Sequence, residues 1–368
     1  MPDLSRRDLA RLFGLGIAAS GLQPAAAARA VSSKPRAPKG VVRISSNENP
    51  YGPSRAALDA AREAFSLAWR YPDEAADDLI AELAKHHKLP ERCFLLGAGS
   101  SEILKLATTA FCGPGRKAVT ADPTFESIAH HAPVSSAEVV KVPLDKTFAH
   151  DLEAMAKVPS AGLIYVCNPN NPTASLTPKA RVRAFLADAP ERTALLVDEA
   201  YHHYVDSPDY ESAALFVSGH PNLIVTRTFS KIYGMAGLRI GYAIAQPPVI
   251  QVLAQHGAYD SVNVLAMAAA KASIVDAAHA AEGKARNAKT RAQVFADLKK
   301  LGLSPIPSQA NFFMVDVKKP VGPLIAALAA KGIQVGRAFP ALPTHLRVTV
   351  GTPEQMRRFT EALAATRA

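Results

Sequence analysis

The segment Arg227-Thr228-Phe229-Ser230-Lys231-Ile232-Tyr233-Gly234-Met235-Ala236-Gly237-Leu238-Arg239 sets a lysine amine among hydroxyls and glycines, with a guanidinium eight residues further on. A lysine that condenses with a carbonyl needs a lowered pKa, which desolvation and nearby cations supply. Hydroxyls and an arginine suit a phosphate dianion. A Ser-Lys pair alone is more often part of an exposed loop, so other segments must decide. Leu96-Gly97-Ala98-Gly99-Ser100-Ser101-Glu102 reads as a strand, a glycine turn and a helix start. The free N–H groups of such a start make an anion site. Val197-Asp198-Glu199-Ala200-Tyr201 closes an apolar run on a carboxylate. A buried Asp requires a charged partner or its pKa rises, although in isolation this one reads as a helix N-cap. The run Cys167-Asn168-Pro169-Asn170-Asn171-Pro172-Thr173, on residue type alone, is a turn.

The elements that must position these groups follow from residue 76. Short apolar runs at Phe94–Leu96, Lys117–Thr120, Val139–Val142, Leu163–Val166, Ala194–Val197, Leu223–Thr226 and Ile240–Ala245 alternate with segments of helical periodicity. The runs are nearly continuous in apolar residues, as strands buried on both faces require. This predicts an α/β fold with a mainly parallel sheet, and ligands beyond the carboxyl ends of its strands. Two Ala-rich helical stretches cover about 262–301. A shorter α+β section closes the chain, with strands at Phe312–Val317, Gln334–Val335 and Arg347–Val350 and helices near 322–331 and 353–366. The expected organisation is a leader over 1–30, a linker over 31–43, an N-terminal arm over 44–75 contributing to the small domain, a large domain over 76–260 and a small C-terminal domain over 261–368.

Taken together, these strings resemble the pyridoxal phosphate-dependent class I/II aminotransferases, and among them the histidinol-phosphate aminotransferases. S-K-x-x-G-x-x-G-x-R at Ser230–Arg239 is similar to the cofactor-lysine motif, and the Asn-Pro run at 168–172 to a highly specific string of the superfamily. The resemblance implies the fold type I transferase architecture. It implies that Lys231 binds pyridoxal 5'-phosphate and shuttles protons, that Asp198 pairs with the pyridine nitrogen, and that Tyr201 and Asn171 meet the phenolic oxygen. Ser100, Ser101, Thr228, Ser230 and Arg239 would hold the phosphate, Phe125 would stack on the ring, and Tyr71 would reach the phosphate of a second subunit. Tyr51, Asn311, Arg337 and Arg347 would bind substrate, with Arg347 gripping its anionic end. The family commonly has Asp at position 101, Tyr at 125 and Gly at 174, where this chain has Ser101, Phe125 and Ala174.

A second departure bears on substrate. The histidinol-phosphate enzymes place an arginine just after the strand equivalent to Ile333–Val335; here Gly336 stands there and Arg337 follows. A one-residue offset on a strand turns a side chain to the other face. The resemblance therefore implies a ping-pong aminotransferase acting on an amino acid, or histidinol phosphate, and a 2-oxo acid. An aromatic or other amino-acid aminotransferase without phosphate specificity and a lyase on the same fold remain the alternatives. A homodimer is expected from the role of Tyr71.

Charge and composition narrow the classes further. The chain of 368 residues is 48% apolar and 20% charged, which excludes dominant disorder. Its formal charge is +10, yet residues 1–43 hold eight of the bases and two acids, leaving the body nearly balanced. That distribution argues against a nucleic-acid partner. No uncharged apolar run of 18 residues lies beyond the N-terminus, so stable membrane insertion is not expected. Three cysteines make no disulfide framework and show no metal-ligand spacing. Ser5-Arg6-Arg7-Asp8-Leu9, the uncharged stretch 12–28 and the Ala-rich end resemble a twin-arginine export signal, which implies a periplasmic enzyme.

Overall fold

The computed structural model describes residues 40–367 apart from 189 and 191; the expected export signal lies outside them. The described chain runs β1 (Val42–Arg43), α1 (Arg55–Glu63), α2 (Asp73–His87), β2 (Phe94–Gly97), α3 (Ser100–Phe111), β3 (Lys117–Asp122), α4 (Ser127–His131) and β4 (Val139–Pro143). It continues with α5 (Leu152–Ala156), β5 (Ala161–Cys167), α6 (Lys179–Asp188), β6 (Ala194–Asp198), β7 (Leu223–Thr228), β8 (Gly241–Ala245) and α7 (Pro247–Ala254). The last part is α8 (Val264–Val275), α9 (Ala277–Lys300), β9 (Phe312–Asp316), α10 (Val321–Ala330), β10 (Ile333–Gln334), β11 (His345–Thr349) and α11 (Pro353–Arg367).

A seven-stranded sheet in the order β2-β8-β7-β6-β5-β3-β4 forms the body. Strands β7, β6, β5, β3 and β4 are parallel, and β8 runs antiparallel to both its neighbours. The expected continuous apolar runs have their cause in burial on two sides. Ile164, Val166, Leu195, Val197 and Val225 enter one core, while Leu163, Tyr165, Leu196 and Ile224 enter another. Alternation then places Asp198 on the face of Tyr165 and Leu196, and Glu199 on the opposite one.

Strand β8 is reversed because the lysine segment turns straight back. Twelve residues separate β7 from β8, with no helical crossover among them. Register aligns the functional strand ends: Cys167 opposes Asp198, Asp198 opposes Thr226, Thr228 opposes Gly241, and Gly241 opposes Gly97. The Asn-Pro run, the carboxylate, the lysine loop and the glycine turn therefore emerge along one edge of the sheet, where ligands of open α/β sheets gather.

A further core holds the C-terminal section. Strands β9 and β11 pair antiparallel, and β1 pairs with β10 in parallel. Val42 and Ile44 join Val294, Leu298, Phe313, Leu346 and Phe359 there, so the expected linker ends in a strand. The changeover between cores falls within α9. Met267, Ala270 and Ile274 of α8 still pack with the sheet, whereas Val294 and Leu298 of α9 belong to the C-terminal core. The arm divides likewise: Ile44 joins the C-terminal core and Ala57 of α1 the sheet's. No single described helix is long and apolar enough to cross a membrane; α8 and α9 reach that composition only as a pair bent by 79°.

Phe359 is fully buried at the centre of the C-terminal core. Phe359→Ala is expected to cost about 3–5 kcal/mol, measured as a lowered midpoint of urea unfolding.

Candidate active site

Lys231 sits in the short return between β7 and β8, and its Nζ donates to the carbonyl of Asn47 at 3.2 Å. Its amine lies 5.5 Å from the centre of the Tyr201 ring. Desolvation, then the Arg347 guanidinium, brings its pKa from 10.5 down to about 8, against the opposing pull of Glu48 and Asp198. That is the perturbation a carbonyl-attacking lysine needs, produced by burial and a like charge.

Asp198 ends β6 at 2% exposure. The Tyr165 hydroxyl donates to its Oδ2 at 2.9 Å, and the Ala200 N–H to its Oδ1 at 3.1 Å. Burial nonetheless raises its pKa, the donors only partly offsetting the lost hydration. A cationic ring nitrogen is the kind of partner this carboxyl lacks. Tyr165 was not among the expected site residues; its signal was a hydroxyl-bearing side chain inside an otherwise apolar strand, on the parity that faces Asp198.

A second group of contacts runs through Asn47. Its backbone is left-handed, with φ of 56°, a conformation asparagine tolerates better than most residues. Its N–H donates to Thr349 Oγ1 at 2.8 Å, its Nδ2 to the Tyr201 hydroxyl at 3.2 Å, and its carbonyl accepts from Asn311 Nδ2 at 3.0 Å as well as from Lys231. Asn47, four residues before Tyr51, thus reaches the lysine through its own carbonyl. The Tyr51 ring lies beneath the Arg286 guanidinium, whose carbon stands 4.9 Å from the ring centre. The Tyr201 ring packs edge-on against Phe312 at 5.0 Å, and burial raises its hydroxyl pKa.

Arg347 joins the expected Asn171 directly and also holds the chain at Ser45. Its Nη1 donates to Asn171 Oδ1 at 2.8 Å and its Nη2 to the Ser45 carbonyl at 2.9 Å. Its Nε and the Oδ1 of Asn311 are buried with no hydrogen-bond partner. Such groups are costly unless a ligand completes them. Gly336 passes so close behind that a Cβ there would stand 2.8 Å from the Arg347 carbonyl oxygen. Arg337 points its Nη2 at Glu126 and lies 4.1 Å from the Phe339 ring centre. Phe125 is partly exposed beside Thr124 and Phe339 in one cleft. Tyr71 is 82% exposed and lies apart from these contacts within its own chain.

At the start of α3 the chain forms a cup. Gly99 has φ of 80°, and a Cβ on it would collide with the Arg239 guanidinium, as one on Gly241 would with the Ser100 nitrogen. Arg239 spans the cup, donating to Ser230 Oγ and to the Ala98 carbonyl, each at 3.3 Å. Thr228 Oγ1 holds the Ser230 N–H at 3.1 Å. First-turn N–H groups, the hydroxyls of Ser100, Ser101 and Ser230, and a guanidinium make a donor set that fits a phosphate dianion. With a reactive amine, a buried carboxyl and this cup on one sheet edge, the residues present fit pyridoxal phosphate.

Behind the site, Arg227 donates to Glu199 Oε2 from Nε at 3.1 Å and from Nη2 at 2.9 Å, both side chains being buried. Ser212 Oγ and the Ala213 N–H complete that carboxylate. This pair ties the ends of β6 and β7 together on the face opposite Asp198. The sequence places both residues inside quoted strings, but their pairing required the strand register.

The chain matches the family described as aminotransferase class I and II over residues 39–363. It is 42% identical to a histidinol-phosphate aminotransferase of Symbiobacterium thermophilum, across 88% of this chain and 90% of that one. It is 37% identical to the enzyme of that name from Bacillus subtilis, across 88% and 91%. The crystal structure of histidinol-phosphate aminotransferase from Sinorhizobium meliloti in complex with pyridoxal-5'-phosphate is similar at a TM-score of 0.84 and 29% identity, covering 89% of this chain and 92% of that one.

Only the unprotonated Lys231 amine attacks an aldehyde. Because its pKa is lowered to about 8, the rate at which apo-protein takes up the cofactor is expected to rise about tenfold per pH unit below that value and to level off above it. Stopped-flow absorbance checks this; a rise continuing unbroken to pH 10 would contradict a desolvated amine.

Proposed function

Because this chain belongs to the class I and II aminotransferases and is a pyridoxal phosphate-dependent transaminase, we propose that its amino donor is an L-amino acid whose carboxylate Arg347 grips, with a 2-oxo acid as acceptor. The observation that carries this reading is the unpartnered, buried Nε of Arg347, on a guanidinium close enough to lower the Lys231 pKa. A planar fork of this kind takes a carboxylate through two parallel N–H donors. Histidinol phosphate is the second reading, favoured by the names of the two relatives above.

When bound, pyridoxal phosphate supplies an electrophilic carbonyl and a ring that withdraws electrons. The rest belongs to the chain. Ser100, Ser101, Ser230 and Arg239 fix the phosphate, and Asp198 supplies a buried negative charge for the ring nitrogen. Arg347 orients the donor by its anionic end, and Asn47 holds the Lys231 amine where it waits. Near its pKa of about 8, Lys231 Nζ can both remove and return the proton of the donor's α-carbon, the matching that general acid–base catalysis rewards.

We further propose a homodimer in which Tyr71 completes the partner subunit's site. Phe65, Leu67, Trp69 and Tyr71 are all exposed within seven residues, with Trp69 at 76%; a cluster this apolar is an association surface rather than an ordinary solvent face. Export by the twin-arginine signal is proposed from Arg6, Arg7 and the Ala-rich stretch that follows, a route that carries folded, cofactor-loaded proteins.

Lys231→Ala is expected to abolish the visible absorbance of the loaded enzyme and to slow transamination ~10³-fold or more. In the wild type, donor alone should accumulate the pyridoxamine form; product release without it would indicate a lyase. Trp69→Glu is expected to convert the dimer to monomer in sedimentation velocity, with loss of activity; a fully active monomer refutes the shared site.

A further inference from the structure

We infer that Glu126 and Arg337 form a charge selector at the substrate end of this site, which makes it favour a singly charged carboxylate over a phosphate dianion. The inference rests on the reading of Arg347 as the anion grip. Arg337 and Arg347 lie against the same Phe339 ring, at 4.1 Å and 5.2 Å from its centre. Two guanidiniums so placed would present a doubly positive pocket, the complement of a phosphate monoester. Glu126, the residue after Phe125, meets Arg337 Nη2 and cancels one of those charges. Its influence reaches Arg347 as well: Arg337 disfavours the Arg347 cation and Glu126 favours it.

The backbone closes the alternative arrangement. Position 336 lies hard against Arg347, with the Gly336 N–H donating to the Arg347 carbonyl at 2.9 Å and no room for a Cβ. A second arginine therefore cannot stand at 336 without displacing the first. At 337 the side chain is directed to Glu126, and its other nitrogen, Nη1, is engaged by the Ala338 carbonyl at 2.9 Å. The side chains of the pair are 51% and 61% exposed, so it adds little to stability. What it changes is the sign and size of the charge an incoming anion meets. A dianion is attracted by one uncompensated guanidinium while Glu126 repels it, and specificity of this type works by disfavouring the wrong ligand.

The test compares wild type, Glu126→Gln, Arg337→Gln and the double variant as holoenzymes, using L-phenylalanine and histidinol phosphate as donors with one 2-oxo acid. Glu126→Gln is expected to raise the phosphate-over-carboxylate ratio of kcat/KM by roughly five- to tenfold, the reach of a partly exposed charge. Arg337→Gln alone should lower the ratio by a comparable factor, because it leaves the Glu126 charge uncompensated, and the double variant should return it near the wild-type value. The Glu126→Gln gain should shrink as NaCl is raised, since salt screens such charges. Titration of 3-phenylpropionate against phenyl phosphate reads the same preference without turnover. An unchanged ratio in Glu126→Gln, a gain that persists in the double variant, or an unchanged or raised phosphate preference in Arg337→Gln alone would overturn the selector. Arg347→Gln separates the underlying reading: weakened binding of both ligands supports the grip, whereas unweakened binding of both removes it and the selector with it.

Discussion

Desolvation of the Lys231 amine beside the Arg347 guanidinium is the interaction on which the site is built. An ammonium group in water has no reason to give up its proton near neutrality; taken out of water and set near a second cation, it does so at about 8. That arrangement would drive the two cations apart were it not balanced by Asp198 and Glu48, both of which favour the charged amine. The reactivity of the lysine is therefore a compromise between burial and a small set of fixed charges, and each of those charges is carried by a different element.

The sheet makes the compromise possible. Parallel strands bring β5, β6 and β7 to one edge with their ends in register, and the immediate return into β8 holds the lysine there without a helix between. Strict alternation sends Asp198 to one face, with Tyr165, and Glu199 to the other, where Arg227 meets it. A one-residue slip of β6 would exchange these two carboxylates, placing the structural one in the site and the catalytic one in the core. The buried Glu199–Arg227 pair, which costs desolvation and is strongly destabilising to break, guards that register.

The fold and cofactor strings were legible because each is local. An apolar run, a glycine turn and a lysine among hydroxyls each declare themselves within a dozen residues. Tyr165 and Asn47 were harder to see, since their roles depend on what lies opposite them after folding: Tyr165 by strand parity, Asn47 by a left-handed bend that turns its carbonyl toward Lys231. Arg337 is a similar case, because the sequence can show its offset from Gly336 but not the carboxylate from a distant loop that receives it.

The long helix α9 has a mechanical consequence. Ala280, near its start, packs with the sheet's core, whereas Val294 and Leu298, near its end, lie in the C-terminal core. Between them Asn287 and Arg291 both donate to the Ala310 carbonyl. Twenty-four residues of helix make a stiff rod of about 36 Å, clamped at both ends and pinned in the middle. The two cores are thereby joined through one continuous stiff element, so the spacing between the Lys231 loop and the strand that carries Arg347 is set by a helix spanning both as well as by the contacts across the site.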